Sequence, residues 1–241
     1  MRVVALLTWR LTRRVCRGTM RSMCGRIAFT QPKKVRPSLF GLDVLPELAP
    51  RYNLAPSQSL AAIRGTPQGR ELVYLKWGLL PAWAKDPQDT YKSINARAET
   101  VAEKPSFRSA FKHRRCLILA DAFYEWQKTE DGGKQPHCIR MPDSSPFALA
   151  GLWEHWEKEG EIIESGAIIT TTANAQMKPL HERMPVILAA ADFDLWLDLQ
   201  RKDPQDLLPL LAPFTGELHI YPVNRAVNNP RNDDPRCLDA A

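Results

Sequence analysis

The chain has 241 residues, 44% of them hydrophobic and 25% charged, a globular composition long enough to bury one sizeable core. No apolar run approaches the ~18 residues that cross a bilayer as a helix, which excludes a helical membrane protein. The net charge of +6 resides in residues 1–22, which hold six arginines and no acid. The remainder balances 27 basic against 27 acidic residues, so overall charge makes no case for a nucleic-acid partner and only a local basic patch could.

The opening segment MRVVALLTWRLTRRVCRGTMRS is Arg-rich and acid-free, and its apolar stretch Val3–Trp9 is too short and interrupted for a good signal peptide. It is read as a leader or an upstream start, with translation beginning at Met23 or Met20. A removed leader and a basic arm are the alternatives. Globular text begins at Met23. Cys24–Thr30 reads as a strand. Leu60–Arg64 and Glu71–Trp77 read as two more, joined by the turn-rich stretch 65–69. Arg97–Glu103 and Ser106–His113 read as short helices, and Arg115–Trp126 as the longest strand. The turn Asp131-Gly132-Gly133 then leads into a returning strand near His137–Met141. Phe147–Trp153 and Ile162–Thr172 are further strands, Asp192–Gln200 and Asp206–Leu211 short helices, and Leu218–Val223 a last strand. Twenty prolines against twelve glycines agree with short elements and rigid turns. The expectation is an α+β fold: one domain over residues 23–229, with a largely antiparallel, barrel-like β core, peripheral short helices and a loose tail over 230–241.

Cys16, Cys24, Cys116, Cys138 and Cys237 are odd in number and scattered, with no C-x-x-C pair. Neither a disulfide framework nor a zinc site is expected, and a reducing, cytoplasmic setting fits. His113, His137, His155 and His219 have no metal-ligand spacing among themselves or with the cysteines.

Four polar clusters lie where a strand or turn would present them: Met23-Cys24-Gly25-Arg26, Ile94–Thr100 (INARAET), Ala120–Trp126 (ADAFYEW) and His181–Pro185 (HERMP). With Arg51–Pro56 (RYNLAP) and Trp77–Trp83 (WGLLPAW) they resemble, in order, the motifs of the SRAP (SOS-response-associated peptidase) family. Members of that family crosslink to abasic sites in single-stranded DNA. The resemblance spans Met23 to Asn229, and six co-linear motifs are far more specific than any one.

A lone cysteine in an apolar strand is more often a small buried hydrophobe than a nucleophile. Cys24 differs because it follows a methionine. If Met23 is the initiator and is trimmed, Cys24 becomes a 1,2-aminothiol, an amine of pKa ~8 beside a thiol of pKa ~8.5. Such a group condenses with an aldehyde and closes to a five-membered thiazolidine, and an abasic site is a masked aldehyde. An internal cysteine, its nitrogen in a peptide bond, cannot do this. Ring opening and imine formation need proton transfer. Glu125, between Tyr124 and Trp126, is the best carboxylate by position, with apolar neighbours that would raise its pKa. The resemblance implies Glu125 as the acid/base, His181 as the residue assisting sugar ring opening, and Asn95 as the group positioning the amine or its adduct. Glu182 stands where relatives often have aspartate.

For the DNA strand, Arg26, Arg97 and Arg183 lie inside the motifs, and Arg97 and Arg183 each adjoin a proposed catalytic residue, suiting them to phosphate. Arg108 heads the basic stretch to Arg115 and is a further DNA-binding candidate, although a basic helix is more often a solvated face. Trp83 is a candidate base-stacking residue. Where the family often shows two adjacent tryptophans, this sequence has Trp83-Ala84 and a longer loop. The expected protein is thus a cytoplasmic, nucleoid-associated monomer acting on single-stranded DNA with abasic sites, without cofactor, metal or membrane. The same imine allows weak β-elimination lyase activity. The alternatives are a thiol autopeptidase using Cys24 as an N-terminal nucleophile, and a protein that only binds DNA because its leader is retained.

Overall fold

A computed structural model describes residues 25–87 and 93–241. The leader, Cys24 and Met23 lie outside the described residues, as does part of the loop that follows Trp83. The structure divides its strands between two sheets. The first runs β1 (Ile27–Phe29), β2 (Arg51–Leu54), β7 (Ala122–Lys128), β8 (Lys134–Arg140) and β13 (His219–Pro222), in the order β13-β8-β7-β1-β2. The second is built on β3 (Ser59–Thr66), β4 (Gly69–Trp77), β6 (Arg115–Ala120), β9 (Phe147–Lys158) and β10 (Glu161–Thr172). Its neighbours run β10-β4-β3-β6-β9, and β9 pairs again with β10, which closes the five strands into a ring. Closure removes the unpaired edges of an open sheet. Three short strands attach to its rim: β5 (Asn95–Arg97) and β11 (Arg183–Pro185) on β10, and β12 (Ile187–Leu188) on β9. All pairings are antiparallel except β10 with β4 and β5. The α+β architecture with an antiparallel barrel core and short peripheral helices is therefore the observed one.

Alternation explains why these segments pair as they do. In β6, Leu117 and Leu119 face one cluster with Phe111 of α1 (Arg108–His113) and Trp196 of α2 (Phe193–Leu197). Cys116, Ile118 and Ala120 face the other, with Leu60, Ala62, Trp77 and, from the first sheet, Ile27, Leu54 and Phe123. Every residue of β6 is buried, so both faces are core. Each fully buried Leu, Ile or Phe contributes about 1.5–3 kcal/mol.

The stretch expected as one long strand over Arg115–Trp126 is two. It leaves the ring and enters the first sheet at Asp121, a corner between β6 and β7 where a strand changes sheets. Asp121 is fully buried, and its Oδ2 accepts from the backbone N–H groups of Thr30 and Gln31, both at 2.5 Å, and from the Thr30 hydroxyl at 3.1 Å. Its own N–H donates to the Ala28 carbonyl. The corner thereby fixes the end of β1. The helix expected over Arg97–Glu103 is absent: residues 95–97 are β5, captured by Ile168–Thr170 of β10, and turns follow to Phe107. The tail expected over 230–241 is packed. Cys237 is fully buried, Val223 bridges to Ala240, and Asp233 accepts from the N–H groups of Tyr52 and Asn53 at 2.6 and 3.0 Å.

Candidate active site

The residues that lead into β1, Gly25 and Arg26, lie at the site. Ile27 pairs with Phe123 and Ala28 with Ala122 of β7, and the Tyr124 N–H donates to the Arg26 carbonyl at 3.0 Å. Continuing that antiparallel register places Gly25 opposite Glu125. Cys24, one residue further, lies outside the described residues.

Gly25, Arg26, Glu125, His181, Arg97 and Arg183 all line one open cavity of about 1150 Å³. Glu125 is only 3% exposed, set in β7 opposite His137 of β8. His181 closes the connection from β10 to β11, where the N–H groups of Leu180 and His181 both donate to the Met177 carbonyl. The Arg183 N–H donates to His181 Nδ1 at 3.1 Å, and the Arg183 carbonyl is 3.2 Å from the same nitrogen. Either tautomer thus pins the ring to Arg183 through Nδ1 and leaves Nε2 for a ligand. Asn95 opens β5, paired with Ile168 of β10, and is not among the residues lining the cavity, whereas Arg97, two residues on and paired with Thr170, is.

The arginines are not equivalent. Arg26 Nη1 donates to Asn53 Oδ1 and to the Val227 carbonyl, both at 2.6 Å, and the guanidinium lies 5.5 Å from the Trp126 ring centroid. Burial pulls its pKa below the ordinary arginine value. Asn53 is fully buried, and its Nδ2 donates to the carbonyls of Val227, Asn229 and Asn232. Arg26 is therefore moored, through Asn53, to the C-terminal segment. Arg183 forms a bidentate pair with Glu99, both bonds 2.9 Å, and donates to the Thr170 carbonyl at 2.6 Å. That pairing holds the Glu99 carboxyl below the ordinary carboxylate range. The Arg97 side chain is exposed and makes no hydrogen bond or salt bridge among the described residues, although its charge helps to lower the Glu99 carboxyl.

Arg108 and Trp83 also stand apart from the cavity wall. Arg108 begins α1, which packs on β9 and β6, and its side chain is exposed. Trp83 is 67% exposed on a turn closed by the Ala84 N–H to the Pro81 carbonyl, and that turn is tied to β9 by the Trp156 indole donating to the Ala84 carbonyl. An exposed tryptophan is free to stack on a base.

The cavity also recruits residues that sequence reasoning did not assign. Trp126, Lys128, Lys134 and Asn228 line it, and the Trp126 indole donates to Asn228 Oδ1 at 2.7 Å. Asn53 lies inside the RYNLAP motif, but nothing local to that motif says it will meet Arg26. Among the described residues no three His, Cys, Asp or Glu side chains group as a metal site. The wall carries five cationic side chains against the carboxylates of Glu125 and Glu182, an arrangement suited to a polyanion.

A family model described as SOS response associated peptidase (SRAP) matches residues 23–230. The chain is 41% identical over 223 residues to the abasic site processing protein YoqW of Bacillus subtilis (strain 168), covering 90% of this chain and 100% of that protein. It is 35% identical to the abasic site processing protein HMCES of Xenopus tropicalis, over 71% of this chain and 58% of the relative. Among solved structures, a Bacteroides thetaiotaomicron protein superposes with a TM-score of 0.72 at 29% identity, covering 80% of this chain and 87% of its own. A Bordetella bronchiseptica protein superposes with a TM-score of 0.70 at 27% identity, covering 83% of this chain and all of that one. With the family model spanning most of the chain and full-length relatives at this identity, the protein belongs to the SOS response associated peptidase (SRAP) family.

Proposed function

We propose that this protein processes abasic sites in single-stranded DNA by covalent capture, with Cys24 as the nucleophile once its amine is free. The observation that carries the reading is the convergence of Glu125, His181 and the backbone leading to Cys24 on one cation-rich cavity. The names of the relatives agree with it.

The chemistry follows from the groups. The closed sugar of an abasic site opens to an aldehyde at C1′ when a proton moves from its hydroxyl to the ring oxygen, a transfer His181 Nε2 can assist. The unprotonated Cys24 amine adds to C1′, giving a carbinolamine. Glu125, protonated, donates to the departing hydroxyl, which leaves as water, and an iminium remains. The Cys24 thiolate then adds to the C1′ carbon, forming the C–S bond, while the nitrogen electron pair is restored. The balance is amine plus aldehyde plus thiol to thiazolidine plus one water. Asn95 positions the amine or the adduct. Loss of the C2′ proton from the iminium, before the thiol closes, would break the 3′ phosphate ester by β-elimination, which is the weak lyase branch. The mechanism requires that residues 1–23 be absent. Self-cleavage before Cys24 would supply that state and would account for a peptidase activity.

The test uses a single-stranded oligonucleotide bearing a natural abasic site. The expected result is a shifted band that survives denaturing electrophoresis, is lost in Cys24→Ala, and forms only in protein whose intact mass corresponds to Cys24–Ala241. A stable band in Cys24→Ala, or one from a chain retaining residues 1–22, would overturn the mechanism. A shift that denaturant and salt both remove would mean binding alone.

A further inference from the structure

We infer that the tip of the β7–β8 hairpin, through Lys128 and Lys134, is a phosphate-binding arm that grips the DNA backbone flanking the captured sugar. The inference rests on the reading above for the identity of the polyanion, and on the structure for the site.

Of the five cations lining the cavity, Arg26 is moored to Asn53 and Val227, and Arg183 is locked in a bidentate pair with Glu99. The Arg183 fork is spent on protein acceptors, and Arg26 is held in place through Nη1, its Nε buried away from solvent. The side chains of Lys128 and Lys134 are exposed and make no hydrogen bond or salt bridge among the described residues. They are also directly opposite each other: the β7–β8 register runs unbroken from Ala122↔Arg140 through Glu125↔His137 to Lys128↔Lys134. Like charges at directly opposed positions of an antiparallel pair destabilise it. Neither carboxylate of the turn between them, Glu130 or Asp131, forms a salt bridge with either lysine among the described residues. In the turn beyond, the Asp131 carboxylate is occupied by the Thr129 hydroxyl and the Gly133 N–H. The Thr129 N–H and Gly132 N–H close that turn on the Gly133 and Thr129 carbonyls.

The result is a pair of unneutralised ammonium groups held by a regular hairpin on the wall of a cavity. Lys128 lies three residues beyond Glu125 on the same strand, about 10 Å away. That is within reach of the phosphates on one side of a lesion held at Glu125. Arg97 presents a third uncommitted cation from β5, so the strand has separate handholds. Phosphate is the ligand that relieves the repulsion, because one bridging anion can accept from both ammonium groups.

The test is fluorescence anisotropy of the full chain with a single-stranded oligonucleotide carrying a tetrahydrofuran abasic analogue. That analogue has no aldehyde and cannot be crosslinked. For Lys128→Gln/Lys134→Gln, the slope of log affinity against log salt should become shallower by about 0.7 per lysine. Lys128→Arg/Lys134→Arg should restore it. The double Gln variant should unfold at the same temperature or higher, because it relieves the repulsion. An unchanged salt slope in a protein that still crosslinks abasic DNA would overturn the lysine assignment alone. Failure of wild-type protein with the intact mass of Cys24–Ala241 to crosslink, or of the wild-type chain to bind the analogue, would overturn the functional reading beneath it.

Discussion

Arg183 shows how a single pairing sets the availability of a charge. Its fork is held by Glu99, a carboxylate that is itself half exposed, so the pair is screened by solvent. Because the pairing depresses the Glu99 carboxyl, its contribution is fully present above the ordinary carboxylate range and is lost as pH falls through the depressed value. The pair is intact at neutral pH and must open before Arg183 can reach a phosphate. Glu99→Gln should therefore tighten binding of the tetrahydrofuran oligonucleotide by about two- to fivefold at neutral pH, the scale of one exposed ion pair, as read by anisotropy. Glu125→Gln should act on the chemistry instead. Crosslinking should slow by roughly 10²–10⁴-fold, the ordinary worth of a general acid/base, with the affinity for the unreactive analogue no weaker than wild type. Single-turnover crosslinking against time separates the two effects.

At the scale of elements, the closing of the ring and the anchoring of its helices each depend on one residue. Gly151 in β9 pairs with Cys116 of β6 and with Ile168 of β10, at the strand that completes the ring. A Cβ there would sit 2.7 Å from Ile118 Cδ1 and 2.8 Å from Cys116 Sγ. Gly151→Ala should cost about 1–3 kcal/mol through overpacking, measurable as a lower urea midpoint at unchanged m-value. Arg115 is buried without a carboxylate partner. It donates to the carbonyls of Phe111 and Lys112 at the end of α1, and to those of Trp196, Asp198 and Arg201. Burial lowers its pKa to about 10. Arg115→Lys keeps a charge but cannot reach five carbonyls, and should destabilise by about 2–4 kcal/mol in the same assay. These elements differ in how legible they were. The hairpins β3–β4 and β7–β8 were readable because alternation and Gly-rich turns are local signals. The Arg97–Glu103 helix was misread because local propensity was overridden by pairing with Ile168–Thr170, more than seventy residues away. The corner at Asp121 interrupts an apolar run whose composition does not change across it.

The molecule as a whole is tied together near the site by its two ends. Asp233 accepts from Tyr52 and Asn53 and pairs with Arg51, while Val227, Asn229 and Asn232 accept from Asn53, which in turn holds Arg26. The sequence after Asn228 is rich in Asn, Asp and Pro and reads as a tail. Its order comes from short side-chain caps, such as Asp234 on the Arg236 N–H, and from partners some 180 positions earlier. No local pattern carries that information. By the same logic the six motifs made Glu125, His181 and Arg183 legible as one site, whereas Lys128 and Lys134 belong to no motif and needed the register. Asp233→Ala should lower the unfolding temperature by several degrees, roughly 2–4 °C per kcal/mol for a domain of this size. It should also slow crosslinking at saturating DNA, because Arg26 loses the backbone against which it is set. A variant that is destabilised yet crosslinks at the wild-type rate would show that the mooring serves stability alone.

The distribution of sulfur has a practical consequence. Cys116, Cys138 and Cys237 are all buried, and burial raises each thiol, that of Cys138 to about 11. At neutral pH these three are sealed from the solvent and remain protonated, so an alkylating reagent meets them only after unfolding. Any thiol that reacts in the native protein is then Cys24 or, where the leader is retained, Cys16. Without engineering, the wild-type chain behaves as its own reporter. Brief native alkylation followed by mass determination counts the leader, the free nucleophile and, through protection after exposure to abasic DNA, the fraction already spent in covalent capture.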